Sequence, residues 1–269
     1  MDKMSNTIIR TLKHLLIIHK YNLDFETTKF LSKYSLEYID LIFKIYHAYL
    51  KETETITGRK LKKTPKLYYS FSLVNNNNIA EYCNKENIIL LNSKLSNNLK
   101  PHTQTFKETI LHETSHAIHF QNNNNFAKYF ISSKHKKSTD LRCSFHEGFA
   151  NLISGEAYDR YNSIQTKLND LDSLQIKSNL DNNTKSCLNF LNNSYNFGSF
   201  IFTKIAELKG RQYAIDYAFK ESGFRPKDMQ KDYEELCVEK GEKPIPLYQK
   251  IQKLESICNS THTSTHPQA

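Results

Sequence analysis

The chain has no tryptophan and only seven glycines and six prolines among its 269 residues. Glycine and proline supply the tight turns of sandwiches and barrels, so their scarcity excludes a turn-rich all-β fold and favours long helices. The five cysteines (Cys83, Cys143, Cys187, Cys237 and Cys258) are an odd, widely spaced set without a C-x-x-C pair. That fits reduced, mostly buried thiols in a cytoplasmic protein better than a disulfide framework. Long apolar runs are missing as well. The N-terminal stretch Ile8 to Lys20 is broken by Arg10, Lys13 and His14, too short and charged for a membrane span. No small-residue cleavage site follows it, so it is a poor signal peptide.

What is present is a polar chain, 38% hydrophobic with a mean hydropathy of −0.63, long enough to bury a core without staples. A net charge of +9 favours acidic partners such as nucleic acid, anionic membrane surfaces or acidic peptides. The excess is spread as pairs such as Lys62-Lys63 and Lys136-Lys137 rather than gathered in one block. A solvated basic surface therefore ranks above a nucleic-acid patch, and no zinc finger, ribonucleoprotein sheet motif or basic zipper accompanies it. Nothing in the sequence specifies an oligomeric state.

The patterning predicts a mostly α fold with a small β-sheet, of the α+β class. It divides into an N-terminal helical segment (1–60), a subdomain with strands and two chemically distinctive helices (61–165), and a C-terminal helical subdomain (166–269). Leu36, Ile39, Ile42, Phe43, Tyr46 and Leu50 recur at helical spacing. After a basic connection, Lys60 to Lys66, come two strand-like runs, Leu67 to Val74 and Asn87 to Leu91, separated by a polar asparagine run. Thr105-Phe106-Lys107-Glu108 reads as a capping box opening a helix that ends near Gln121, with Asn122 to Asn125 as a loop. Further helices are expected over Ser144 to Tyr161 and over Thr184 to Lys209, the latter closed by Gly210. Short helices follow over Arg211 to Cys258, then a frayed tail from Asn259.

Inside the capped helix stands His112-Glu113-Thr114-Ser115-His116. Residues four apart are stacked one turn up, about 6 Å along the axis, so two imidazoles can grip one metal ion. Glu113 is turned about 100° from His112, beside the metal rather than on it, where it can take a proton from water. On composition alone about 0.03 such matches are expected in a chain with 11 histidines.

A catalytic zinc site needs a third protein ligand. Glu147, in His146-Glu147-Gly148-Phe149-Ala150-Asn151, lies on the next predicted helix and can return to the metal through a helix–loop–helix hairpin. Ser144-Phe145-His146-Glu147 also reads as a capping box, in which Glu147 would serve a helix start instead. His102, His135 and His146 are alternative ligands, and His119 shares the face of His112 and His116. The H-E-x-x-H-x-x-G-x-x-H arrangement is excluded by His119 and Asn122.

His112-Glu113-x-x-His116 followed by Glu147-Gly148-Phe149-Ala150 resembles the gluzincin zinc metallopeptidases, and locally the aminopeptidase N-like family. Tyr195-Asn196-Phe197-Gly198 is similar to that family's Y-x-x-G segment. The resemblance runs over roughly residues 85 to 222 and rests on three short motifs. It implies a zincin-like catalytic core with added N- and C-terminal helices. It also implies Zn2+ held by His112, His116 and Glu147, with peptide or protein substrates hydrolysed by a Glu113-activated water. Tyr195 would donate to the developing oxyanion, a role that competes with ordinary packing in a chain of 16 tyrosines. Asn151 stands where thermolysin-like enzymes have an aspartate that orients a zinc-binding histidine. The family's amine-binding G-x-M-E-N motif is absent ahead of His112, and the spacing to the third ligand is longer. The implied class is therefore gluzincin peptidase rather than aminopeptidase. The strand Asn87 to Leu91 is expected to be the edge on which an extended peptide adds. The rival class is a zincin-fold protein that binds zinc or a partner without cleaving.

Overall fold

Helix dominates, as the scarcity of glycine and proline requires. The computed structural model describes residues 12, 15–16, 18–70, 79–93, 100–132, 141–173 and 182–263. The described residues form an α+β fold in two compact units, one up to Gln121 and one from Asn122. His135, Lys136-Lys137, the asparagine run 75–78 and the last residues of the first expected strand lie outside the described residues.

In the first unit, helix α1 (Phe25–Leu31) is capped by Asp24 and helix α2 (Leu36–Thr57) by Ser35. Helix α2 runs past the expected Leu50 because Thr53 and Thr57 turn their hydroxyls back onto the carbonyls of Tyr49 and Thr53. That satisfies β-branched polar side chains inside a helix, and Gly58 then closes it at φ 64°. The sheet has strands β1 (Lys66–Ser70), β2 (Ala80–Cys83) and β3 (Ile88–Asn92), in the order β1-β3-β2. β3 pairs parallel with β1 and antiparallel with β2. Two strands were expected, and three are present among the described residues. β2 is four residues long and joins β3 through a turn in which Asn87 takes φ 54°, a left-handed position that asparagine tolerates.

This corrects the expected peptide edge. β3 has a neighbour on each side, so within the sheet the unpaired edges belong to β1 and β2. The core of this unit gathers Leu31, Ile39, Phe43, Leu67, Ile89 and Phe106. The Phe30 and Tyr69 rings stack at 4.4 Å, and Thr27 Oγ1 accepts from Tyr69 N at 2.8 Å. Helix α3 (Gln104–Asn122) ends the unit.

The second unit is helical: α4 (Asn124–Ser132), a 3-10 turn (Leu141–Cys143), α5 (Ser144–Ser154), α6 (Glu156–Ser173), α7 (Asn182–Leu191), α8 (Ser194–Lys209), α9 (Arg211–Tyr217), α10 (Pro226–Glu239) and α11 (Leu247–Thr263). Helix α8 is its centre, with Phe197, Phe200, Ile201, Phe202 and Ile205 fully buried against α5, α6, α9 and α10. Two expected helices are subdivided, and one expected loop holds a helix start. Gly155, at φ 96°, separates α5 from α6. Asn193, between α7 and α8, caps α8, accepting from Tyr195 N at 2.9 Å. The expected loop at Asn122 to Asn125 contains a cap instead: Asn123 Oδ1 accepts from Phe126 N at 3.0 Å and so starts α4. No described helix is long and apolar enough to cross a membrane.

Candidate metal centre

Helix α3 starts two residues earlier than the sequence suggested. Thr103, not Thr105, is the cap, its hydroxyl accepting from Phe106 N at 3.2 Å. The other end is held by Gln121. Its amide accepts from Lys63 N at 2.9 Å and donates to Lys63 O at 2.9 Å and Asn87 Oδ1 at 3.0 Å. Between these anchors every residue from Ile110 to Phe120 is buried. Six of the buried residues are polar: His112, Glu113, Thr114, Ser115, His116 and His119. A buried helix that keeps two imidazoles and a carboxylate on successive turns gives up desolvation energy that plain packing does not require, which marks it as a candidate site.

The helical spacing acts as expected on the two histidines. Their rings meet edge to face with centroids 4.7 Å apart, and Nε2 of His112 lies 3.1 Å from Nε2 of His116. Two nitrogens bound to one tetrahedral zinc at about 2.0–2.1 Å lie about 3.3 Å apart, so this pair stands within a few tenths of an ångström of a chelating geometry.

Glu147 sits in the first turn of α5, where every residue is buried. The capping box proposed for this turn is not formed. The cap position is Cys143, which makes no side-chain cap bond, and Ser144 is already helical with its hydroxyl lacking a hydrogen-bond partner among the described residues. One ligand atom from each of His112, His116 and Glu147 lies within 4.8 Å of the others, and all three residues are buried. Among the described residues this is the only such group, and His102, His119 and His146 are not part of it. His102 is exposed in the turn ahead of α3. Two imidazoles and one carboxylate, with no fourth ligand among the described residues, are a donor set that zinc accepts, so the residues present fit the metal.

Glu113 is buried one residue on from His112. On β2, burial pushes the Cys83 thiol up to about 12, with the charges of Glu81, Glu86 and Glu113 adding to it. Tyr195 stands in the first turn of α8, half-buried, with the Arg160 guanidinium 5.2 Å from its ring centroid. Asn151 does not take the histidine-orienting role expected of it. Its Nδ2 donates to Ser199 Oγ at 2.8 Å and to Tyr195 O at 3.4 Å, and its Oδ1 has no hydrogen-bond partner among the described residues.

Sequence reasoning missed Ser199 entirely and missed what joins the two glycines of the quoted motifs. A Cβ on Gly148 would lie 2.5 Å from the carbonyl of Gly198, so α5 and α8 cross in backbone contact there. The signal was present in E-G-F-A and Y-x-x-G, each with a glycine inside a helical pattern. No family model matches the chain, and neither curated proteins nor solved structures gave a match.

Proposed function

We propose that the chain is a zinc-dependent peptidase of gluzincin type, with His112, His116 and Glu147 as the metal ligands. The observation that carries this reading is the convergence of those three buried residues, with ligand atoms within 4.8 Å of one another. When bound there, Zn2+ supplies Lewis acidity, polarising the scissile carbonyl and lowering the pKa of water toward 7.

The chain's own groups do the rest. Glu113 takes the proton of the attacking water and returns it to the leaving amine. Tyr195 donates its phenol hydrogen to the oxyanion as it forms. The substrate is an extended peptide, and the strand it can add to is β2 rather than β3, because β2 has an unpaired edge within the sheet. A cytoplasmic setting is part of the proposal, supported by five widely spaced cysteines without a C-x-x-C pair.

The test is metal content beside peptide hydrolysis. Purified protein should hold about one zinc per chain, lose hydrolysis on chelation and regain it on zinc addition. Glu113→Gln should keep the zinc and lower the rate about 10²- to 10⁴-fold. Undiminished hydrolysis in that variant overturns the role of Glu113, and undiminished zinc in Glu147→Ala overturns the ligand set. Zinc binding without cleavage of any member of a broad peptide library turns the reading to a zincin-fold protein that only binds.

A further inference from the structure

We infer that the crossing of α5 and α8 at Gly148 and Gly198, locked by the Asn151–Ser199 hydrogen bond, is a positioning device for the Glu147 carboxylate. This rests on the reading of Glu147 as a metal ligand and adds to it a role for Gly148, Gly198, Asn151 and Ser199. The two helices approach as closely as backbones can. A Cβ on Gly198 would lie 2.1 Å from Ser144 O and 2.7 Å from Gly148 N, and one on Gly148 would meet Gly198 C and O at 2.5 Å. No side chain lies between the helices at that point, so none can yield by changing rotamer, and α5 is held at a fixed height above α8.

Glycine contact fixes separation, but two smooth backbones can still slide. The slide is stopped one turn along. Asn151 and Ser199 are both fully buried, and Asn151 Nδ2 donates to Ser199 Oγ at 2.8 Å. The same amide reaches Tyr195 O at 3.4 Å, so a single side chain holds α5 to the first turn of α8. Glu147 is adjacent to Gly148 and stands one helical turn before Asn151, so both constraints act within one turn of it. A slip along α8 therefore moves the carboxylate directly. Ser144 offers no substitute hold, since it forms no cap with Glu147 and its hydroxyl has no hydrogen-bond partner among the described residues.

The experiment measures zinc affinity by competition with a chromophoric chelator. It adds the visible absorption of the cobalt(II)-substituted protein, which reports ligand geometry, and thermal unfolding. Ser199→Ala should fold, weaken zinc about tenfold or more and shift the cobalt band, whereas Ser199→Thr, which keeps the hydroxyl, should restore both. Gly198→Ala should act in the same direction and more strongly. If Ser199→Ala, or a folded Gly198→Ala, lowers the unfolding temperature while zinc affinity and the cobalt band stay at wild-type values, the crossing is packing alone and the inference is overturned. A wild type that binds no zinc overturns the metal reading itself, and the inference with it.

Discussion

Helices α3 and α5 are both buried and both carry proposed ligands, yet they are held in opposite ways. α3 is fixed at its ends by side-chain hydrogen bonds, from Thr103 at its start and from Gln121 at its finish. α5 has no side-chain cap at its start and is fixed along its middle, by backbone contact with Gly198 and by Asn151. Its remaining faces are aromatic, with Phe145 5.5 Å from Phe202 and Phe149 5.5 Å from Phe219. The difference follows from what each helix must hold. The two histidines of α3 are set by the helical repeat, so the helix has only to exist and stay in place. Glu147 is a lone ligand on its helix, and no local repeat fixes where it points.

The comparison breaks most visibly at Gly148. Gly148→Ala inserts a methyl where the neighbouring atoms are backbone and cannot turn aside. It should cost about 3 kcal/mol of stability by overpacking, and the folded fraction should bind zinc more weakly than wild type. Calorimetry with zinc titration checks both. At the far end of α3, Asn87 carries a comparable polar load. It accepts from Gln121 and from Tyr82, donates to Thr64 O at 3.1 Å, and holds φ 54°. Asn87→Ala should cost about 2 kcal/mol, part from lost hydrogen bonds and part from the left-handed backbone. Asn87→Gly removes the second part alone and should recover about 1 kcal/mol. Neither variant should change the zinc affinity of the folded protein, because both leave the spacing of His112 and His116 to the helix. A large affinity loss in Asn87→Ala would erase the distinction between end-held and middle-held helices.

The same distinction explains what was legible in the sequence. The α+β class, the histidine pair and the buried face of α3 come from local periodicity, which a single chain displays. Glu147 could be named from its motif, but setting aside the capping box required knowing that Ser144 is already helical. The meeting of Gly148 with Gly198 joins residues fifty apart and leaves no mark in either segment beyond a glycine. β2 escaped because four residues beside an asparagine run give too short an alternation to read. The break at Gly155 and the caps Asn123 and Asn193 were hidden for a related reason. In an asparagine-rich chain, a residue that caps and one that fills a loop look the same until a backbone N–H is seen pointing at it. The stretch of α2 beyond Leu50 carries no apolar repeat to read, and there the Thr53 and Thr57 hydroxyls donate to the carbonyls of Tyr49 and Thr53.

The smallest effect is expected at Thr103. Its hydroxyl accepts from Phe106 N, one of the amides that a helix start leaves without an internal partner. Thr103→Ala should cost about 1 kcal/mol, and Thr103→Ser or Thr103→Asp should restore most of it, since each supplies an oxygen that can accept the same bond. Aspartate adds a negative charge at the positive end of the helix dipole and should be the better of the two at low salt, with the advantage fading as salt is raised. The site lies nine residues before His112, two and a half turns away, so fraying of the first turn stops short of the ligands. Zinc affinity should therefore be unchanged in all three variants. If Thr103→Ala weakened zinc as strongly as Ser199→Ala, α3 would transmit disorder from its end to its middle, and the two helices would differ in their anchors but not in how they hold a ligand.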